Sequence, residues 1–297
     1  MNNQLRESLV ANDGPLSGES IQSLEPVSGG CIHRCWRLRM DNERSFFAKV
    51  CHRSRLPMLE AEKQGLMALQ QWANPEELVV PNVLGLSKLG SNAVLLLPWL
   101  DLGAGDQRCL GSGLASMHQS SASNHDGRFG WPLEGFIGSG VQPKGWRESW
   151  GEAFVELRLR PQMQVAKQWG LLIEEFETLL MELRIYLDQH QPVASLVHGD
   201  LWSGNASVLP DLRGVLIDPA AWWADREVDL AMTKLFGGFS GSFYAEYGKI
   251  WPLSEDYEFR IDIYNLYHLL NHANLFGGSY KQQTLNRLNS LARTMNG

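Results

Sequence analysis

The stretch LVHGDLWSGNASVL, residues 196–209, decides how this chain reads. Apolar residues at both ends look like strand termini, and His198, Gly199, Asp200 and Asn205 crowd the polar turn between them. Asp200 and Asn205 lie five positions apart. A carboxylate so placed can orient an attacking hydroxyl and take its proton, while a nearby amide oxygen helps to hold a divalent cation. Each residue also has a plainer reading, Asp200 as a helix cap and Asn205 as a turn former.

Working outward, the turn-prone segment 210–214 separates two β-like runs, NASVL and GVLIDPA, and the second delivers another carboxylate, Asp218. Far upstream, Lys49 is a lone charge in the apolar strand SFFAKVC, which by itself reads as a solvated edge residue. The segment that follows, MLEAEKQGLMALQQWA, places Leu59, Leu66, Leu69 and Trp72 near one helical face and offers two carboxylates, Glu60 and Glu62.

The chain sorts into two parts of different character. Residues 1–100 read as a short helix over 4–11, strands in IQSLEPVSGG, CIHRCWRLRM and SFFAKVC, one helix, and strands in VLGLSKLG and AVLLLPWL. That is a five-stranded sheet with one helix. Residues 101–297 are mainly helical: RCLGSGLASMHQS, WRESWGEAFVELRLR and GLLIEEFETLLMELRIYLDQH carry helical periodicity, and helices resume after Asp229. The NASVL and GVLIDPA runs form a hairpin inside this helical part, and residues 124–146, rich in Gly, Pro and aromatics, read as an irregular loop. The fold class is α+β.

Composition narrows the function. With 33 acidic and 26 basic residues the net charge is -7, and no basic cluster suits a nucleic-acid backbone. No apolar run is long enough to span a bilayer and no secretory signal opens the chain, so the expected location is the cytoplasm, away from membranes. The four cysteines, Cys31, Cys35, Cys51 and Cys109, form neither a zinc pattern nor a disulfide framework. His268 and His272 have the spacing of a metal pair but no third ligand, so a packed helix is the better reading. Trp222 and Trp223 read as packing residues.

The Asp200 to Asn205 spacing resembles the protein-kinase catalytic loop H-R-D-x-x-x-x-N, with Gly199 in place of Arg. His-Gly-Asp with this Asn is the form seen in aminoglycoside, choline and related small-molecule kinases. In that resemblance Asp200 is the base, and Asn205 and Asp218 are the metal ligands. Asp218 stands where the kinase D-F-G element has its Asp, with Pro219 and Ala220 following. Lys49 resembles the strand-three lysine, with Glu62 chosen as its partner from likeness to EAE-type helices. Gly29, Gly30 and Cys31 of SGGCI then let the backbone approach phosphate, although the same glycines suit a simple hairpin turn. Pro98, Trp99 and Leu100 occupy the segment joining the lobes, where backbone groups would meet the adenine edge.

Taken together, SGGCIHRCWRL, FFAKV, EAEKQGLMAL, VVPNVLG, HGDLWSGN, IDPAAWWADREVDLAM and NLYHLLNHANLFGGSY resemble the fructosamine kinase, or ketosamine-3-kinase, family over nearly the whole chain. The resemblance implies a two-lobed protein-kinase-like fold. Its smaller lobe, residues 1–100, would carry the five-stranded antiparallel sheet and bind nucleotide, with a hinge at 98–100; residues 101–297 would hold the catalytic loop and substrate site. It implies ATP- and magnesium-dependent phosphorylation of a 3-hydroxyl on a sugar joined to an amine, free or on a glycated protein, followed by loss of the sugar. Fructosamine and ribulosamine, and monomer and homodimer, stay open. Trp202 would stack on the sugar face, and His198, Asp225 and Asp229 would support the catalytic loop, with Asp225 also suited to capping a helix. Cys31 is open to two readings: a thiol activated by the phosphate loop as a redox switch, or a buried inert one. The alternatives are a kinase for another small hydroxyl compound, such as an aminoglycoside, choline or a sugar, and a kinase-shaped binding protein without catalysis. Retention of Lys49, Asp200 and Asp218 weighs against the last.

Overall fold

The computed structural model describes residues 1, 3–28, 33–254 and 256–296. Gly29, Gly30 and Cys31, the expected phosphate-loop residues, lie outside them. Helix α1 (Asn3–Val10) precedes strands β1 (Ile21–Val27), β2 (Arg34–Met40) and β3 (Ser45–His52). Helix α2 (Leu56–Trp72) follows, then a two-residue β4 (Leu78–Val79), β5 (Gly85–Leu89) and β6 (Asn92–Pro98). Five of these strands pair antiparallel in the order β1-β2-β3-β6-β5, the sheet expected from the sequence.

This order puts β3 in the middle, so Lys49 is no edge residue. Side chains alternate along a strand. Ala48 and Val50 pack with Leu5 and Leu9 of α1 and with Leu38, while Cys51 joins the leucines of α2 on the other face. Lys49 shares that second face. On α2 the buried residues Leu59, Glu62, Leu66 and Leu69 recur at helical spacing, so Glu62 sits in the inward stripe and Glu60 is exposed. Proline in the first turn of α2, where a backbone N–H has no helical partner, suits the helix start.

After α3 (Arg108–Ala122) the chain forms β7 (Phe129–Trp131), β8 (Gly135–Ile137), β9 (Gly140–Gln142) and β10 (Gly145–Arg147). The expected irregular loop is therefore ordered as short strands, each too brief for a period-2 pattern to show. Next come α4 (Trp150–Phe154), a π-helical turn (Val155–Leu159) that lays Arg158 over Trp222 at 3.7 Å, α5 (Arg160–Ala166) and α6 (Glu177–His190). The helix expected from residue 170 begins only at 177, because Gly170 is left-handed (φ 99°) and a 3-10 turn fills Ile173–Phe176.

Strands β11 (Ala194–Val197), β12 (Ala206–Val208), β13 (Gly214–Leu216) and β14 (Trp222–Asp225) frame the polar loop, followed by α7 (Glu227–Leu235), α8 (Gly241–Ile250), α9 (Tyr257–Phe276) and α10 (Ser279–Asn296). The β12–β13 hairpin gains a third strand, since β13 pairs in parallel with β4 from the first hundred residues. β14 pairs with β11 and β7, so Trp222 and Trp223 belong to a strand as well as to the core. No described helix is long and apolar enough to cross a membrane.

Candidate active site

A cavity of about 620 Å³ lies where the lower face of β3, helix α2 and the 198–205 loop meet, and Lys49, Glu62, Asp200, Trp202, Asn205 and Asp218 line it. A second hollow of about 770 Å³, beside α1 and lined by Arg34, Trp36 and Arg55, contains none of these carboxylates. Residues 169 positions apart meet in the first: Lys49 Nζ donates to Asp218 Oδ1, and also to Glu62 Oε1 at 2.7 Å. Burial opposes the ammonium charge, but Glu62 and Asp218 outweigh it and hold the Lys49 pKa above its ordinary value. Burial pushes Glu62 upward while Lys49 pulls it down. At 2.7 Å we read the pair as ionised.

Helix α2 is set against the segment carrying Asp218 by Gly65, where a Cβ would come 3.1 Å from the Pro219 ring. Pro219 thus packs against the backbone of α2. Asp218 itself adopts φ 56°, uncommon for a non-glycine residue, and its side chain is 40% exposed to the cavity.

The 198–205 loop is tied down from three sides. Asp229 is fully buried and its carboxylate accepts the backbone N–H groups of His198 at 2.7 Å and Gly199 at 2.8 Å. Burial works against that charge, yet the hydrogen bond from His118 and then the Gly199 N–H keep the Asp229 pKa below the ordinary range. His198 spans the loop: Nδ1 accepts from Asp200 N at 3.3 Å, so Nε2 carries the proton it gives to Ile217 O at 2.8 Å. Burial keeps that imidazole neutral. Gly199 is left-handed at φ 81°, and a Cβ there would lie 2.2 Å from Ala220 O. A side chain there would press the loop against the 217–221 segment that links β13 to β14 and carries Asp218.

Asn205 Nδ2 donates to Asp200 O at 2.9 Å and to Asp200 Oδ2 at 3.2 Å, which leaves its amide oxygen for a cation. The donor set of Asn205 oxygen and Asp218 carboxylate suits a hard ion such as magnesium. Asp200 is half-buried at the cavity edge; burial and Asp218 push its pKa up to about 7, against the hydrogen bond from Asn205. Trp202, 37% exposed, lies over Gly204, where a Cβ would come 2.2 Å from the indole.

Two expectations find other surroundings. Pro98, Trp99 and Leu100 do not line this cavity, and the Trp99 N–H is taken by Ser45 O at 3.2 Å, because sheet pairing continues past β6. Asp225 makes no contact with the 198–205 loop among the hydrogen bonds of the described residues. It accepts from Tyr264 and His190 and from Glu227 N at the start of α7, a helix-capping role, and Arg260 saturates the neighbouring Glu227.

Sequence reasoning passed over His118, which is fully buried on α3 and bridges Asp229 Oδ2 (3.1 Å) to the Tyr247 hydroxyl (3.0 Å). A polar residue inside the apolar run LASMHQS was its signal. His33, Cys35 and His272 also line the cavity. Burial pushes the Cys35 thiol up to about 11, so it stays protonated at neutral pH.

The family model for fructosamine kinase matches residues 5–294. The chain belongs to the fructosamine kinase family. A protein named probable ketoamine kinase from Synechocystis is 38% identical over 276 residues, covering 92% of this chain and 91% of its own. A crystal structure from Haemophilus somnus 129PT, provisionally named a fructosamine-3-kinase, superposes with a TM-score of 0.85 at 29% identity over 96% of each chain. Choline kinase LicA from Streptococcus pneumoniae shares the fold alone, with a TM-score of 0.60 at 16% identity over 93% of this chain and 94% of its own. The resemblance seen in the sequence and the protein-kinase-like fold are both borne out. As a member of the fructosamine kinase family the chain is a phosphotransferase with an alcohol group as acceptor, and a kinase of this kind takes its phosphate from ATP.

Proposed function

We propose that the protein transfers the γ-phosphate of ATP to the 3-hydroxyl of ketosamines, fructosamines or ribulosamines, free or on glycated protein, in the cytoplasm. The observation that carries this reading is one cavity holding the Lys49–Glu62–Asp218 charge cluster beside Asp200 and Trp202. Residues 1–100 act as the nucleotide lobe, joined at 98–100 to the catalytic lobe of residues 101–297. Lys49, held by Glu62, offers its ammonium to the phosphates. Asn205 and Asp218 would hold magnesium, which would supply charge neutralisation at the phosphates.

Trp202 presents an indole face to the apolar face of the sugar, which sets the 3-hydroxyl at Asp200. Asp200 accepts the hydroxyl proton as the oxygen attacks phosphorus; the new O–P bond forms while the bond to the ADP oxygen breaks. His198 and Asp229 position the loop without touching the reacting atoms. In the enol form of the C2 ketone the 3-phosphate is an allylic leaving group. Its loss, with hydrolysis of the imine left behind, frees the amine and so reverses glycation.

An ATP-consumption screen over fructosamines, ribulosamines, choline and aminoglycosides tests this reading. Turnover with ketosamines, abolished in Asp200→Asn, is expected. Turnover only with choline or an aminoglycoside would reject it. A melting temperature unmoved by ATP with magnesium, together with no turnover, would favour the binding-protein alternative.

A further inference from the structure

The mouth of the catalytic cavity carries a feature that phosphoryl transfer does not use. Beyond Asp200 stands a wall of rings from three elements: Phe236 after α7, His272 and Phe276 on α9, and Tyr280 on α10. Their centroids are in contact distance, 4.9 Å from Phe236 to His272, 5.1 Å from His272 to Tyr280 and 5.5 Å from His272 to Phe276. Two of the rings are open to solvent, Phe236 at 39% and Phe276 at 55%. A scattered exposed ring is ordinary; contiguous rings at the mouth of a catalytic cavity mark a binding surface.

The two exposed phenylalanines arise in the same way. Each ends a helix within the tetrapeptide Leu-Phe-Gly-Gly, residues 235–238 and 275–278. Both glycine pairs are left-handed, with φ of 71° and 93° in the first and 66° and 56° in the second. The chain turns away at once and leaves the ring facing out. At Gly238 a Cβ would meet Ser203 Cβ at 2.5 Å, so the first turn is packed directly against the residue after Trp202.

Among the described residues lining the cavity, the acidic and basic side chains are Lys49, Glu62, Asp200 and Asp218, all in the catalytic cluster. Burial lowers the pKa of His272, so that ring adds no positive charge to the wall at pH 7. A polyammonium ligand would lose water there without gaining carboxylate partners.

We propose that this wall is a subsite for the group borne on the ketosamine nitrogen, and that it favours aromatic or large aliphatic amines over small or polycationic ones. The proposal rests on the ketosamine reading above. With the sugar stacked on Trp202, the amine substituent extends to Phe236 and Phe276, where ring contacts contribute about two- to tenfold in affinity per ring.

The test measures kcat/KM for the N-(1-deoxyfructos-1-yl) derivatives of benzylamine and of methylamine. Wild-type protein is expected to favour the benzyl adduct by about tenfold or more, and the double variant Phe236→Ala, Phe276→Ala to bring that ratio close to one, mainly through KM. Phe236→Leu with Phe276→Leu should fall between. Should the double Ala variant fail to fold, the two single substitutions carry the same comparison. A wild-type ratio near one, or a ratio that the Ala variants leave unchanged, overturns the subsite while the ketosamine reading stands. Turnover of neither adduct, alongside turnover of another hydroxyl compound, removes the ketosamine reading and the subsite with it.

Discussion

Replacing Lys49 by Met is the sharpest probe of the charge cluster. The substitution keeps length and removes the one cation between Glu62 and Asp218. Lys49 and Glu62 have side chains 5% and 10% exposed, so Glu62 would be left as a buried carboxylate with no counter-charge. Breaking a buried pair from one side costs about 3–5 kcal/mol, a large share of the roughly 5–15 kcal/mol that holds a domain folded. The loss is pH-dependent, and its sign follows from the direction of the Glu62 shift. Burial already pushes that carboxyl upward, and Lys49 opposes it. Without Lys49 the folded pKa rises further above the unfolded value of about 4.3. The folded state then keeps a proton that the unfolded state has lost, so the variant weakens as pH climbs from about 4.3 to the folded pKa, by up to about 1.4 kcal/mol per unit. Urea denaturation of Lys49→Met at about pH 5 and about pH 8 reads this directly, and adding Glu62→Gln should flatten the dependence. Equal stability of Lys49→Met and wild type at the higher pH, or a pH slope that Glu62→Gln leaves intact, would refute the reasoning. Phosphotransfer should be lost in both variants.

Asp200→Asn should fold, still gain thermal stability from ATP with magnesium, and lose about 100- to 10,000-fold in kcat. Because Asp200 must be ionised to accept a proton and its pKa lies at about 7 in the nucleotide-free protein, wild-type kcat/KM should rise with pH through that value; a flat profile from about pH 6 to about pH 8 would contradict the base assignment. Gly199→Ala forces an L side chain into φ 81° with a Cβ 2.2 Å from Ala220 O, costing at least about 1–2 kcal/mol from the backbone alone. Gly248→Ala on α8, where a Cβ meets nothing within 4 Å, should stabilise by about 0.5–1 kcal/mol, and chemical denaturation of the pair gives the contrast. Asp229→Ala leaves the amides of His198 and Gly199 without their acceptor, at about 1–3 kcal/mol each, and should lower kcat as well as the melting temperature.

Much of the site was legible because its parts are local. The five-position spacing of Asp200 and Asn205 becomes a hydrogen-bonded turn, and the strand alternation around Lys49 becomes a central strand with two buried faces. Glu62 needed no family likeness: its place in the Leu59, Leu66, Leu69 period already puts it inward, and Glu60 outward. The short strands of 129–147 and β4 escaped because two or three residues carry no periodicity. His118 escaped because its partners, Asp229 and Tyr247, are 111 and 129 residues away. The repeated Leu-Phe-Gly-Gly was in plain view, but nothing in the letters says that two helix ends will point at one cavity.

By itself, then, the sequence determined which chemical groups this protein has and on what local scaffold each is carried: a carboxylate and an amide on one turn, a lysine on a strand, a carboxylate on a helix stripe. Only the tertiary structure decided that Lys49 binds Glu62 and Asp218 together, that Asp229 rather than Asp225 grips the 198–205 loop, and that Phe236 and Phe276 share a wall. The reason is physical. Periodicity and turn chemistry act over a few residues, whereas these contacts join segments whose separation is set by how the sheet, α2 and the helical lobe pack.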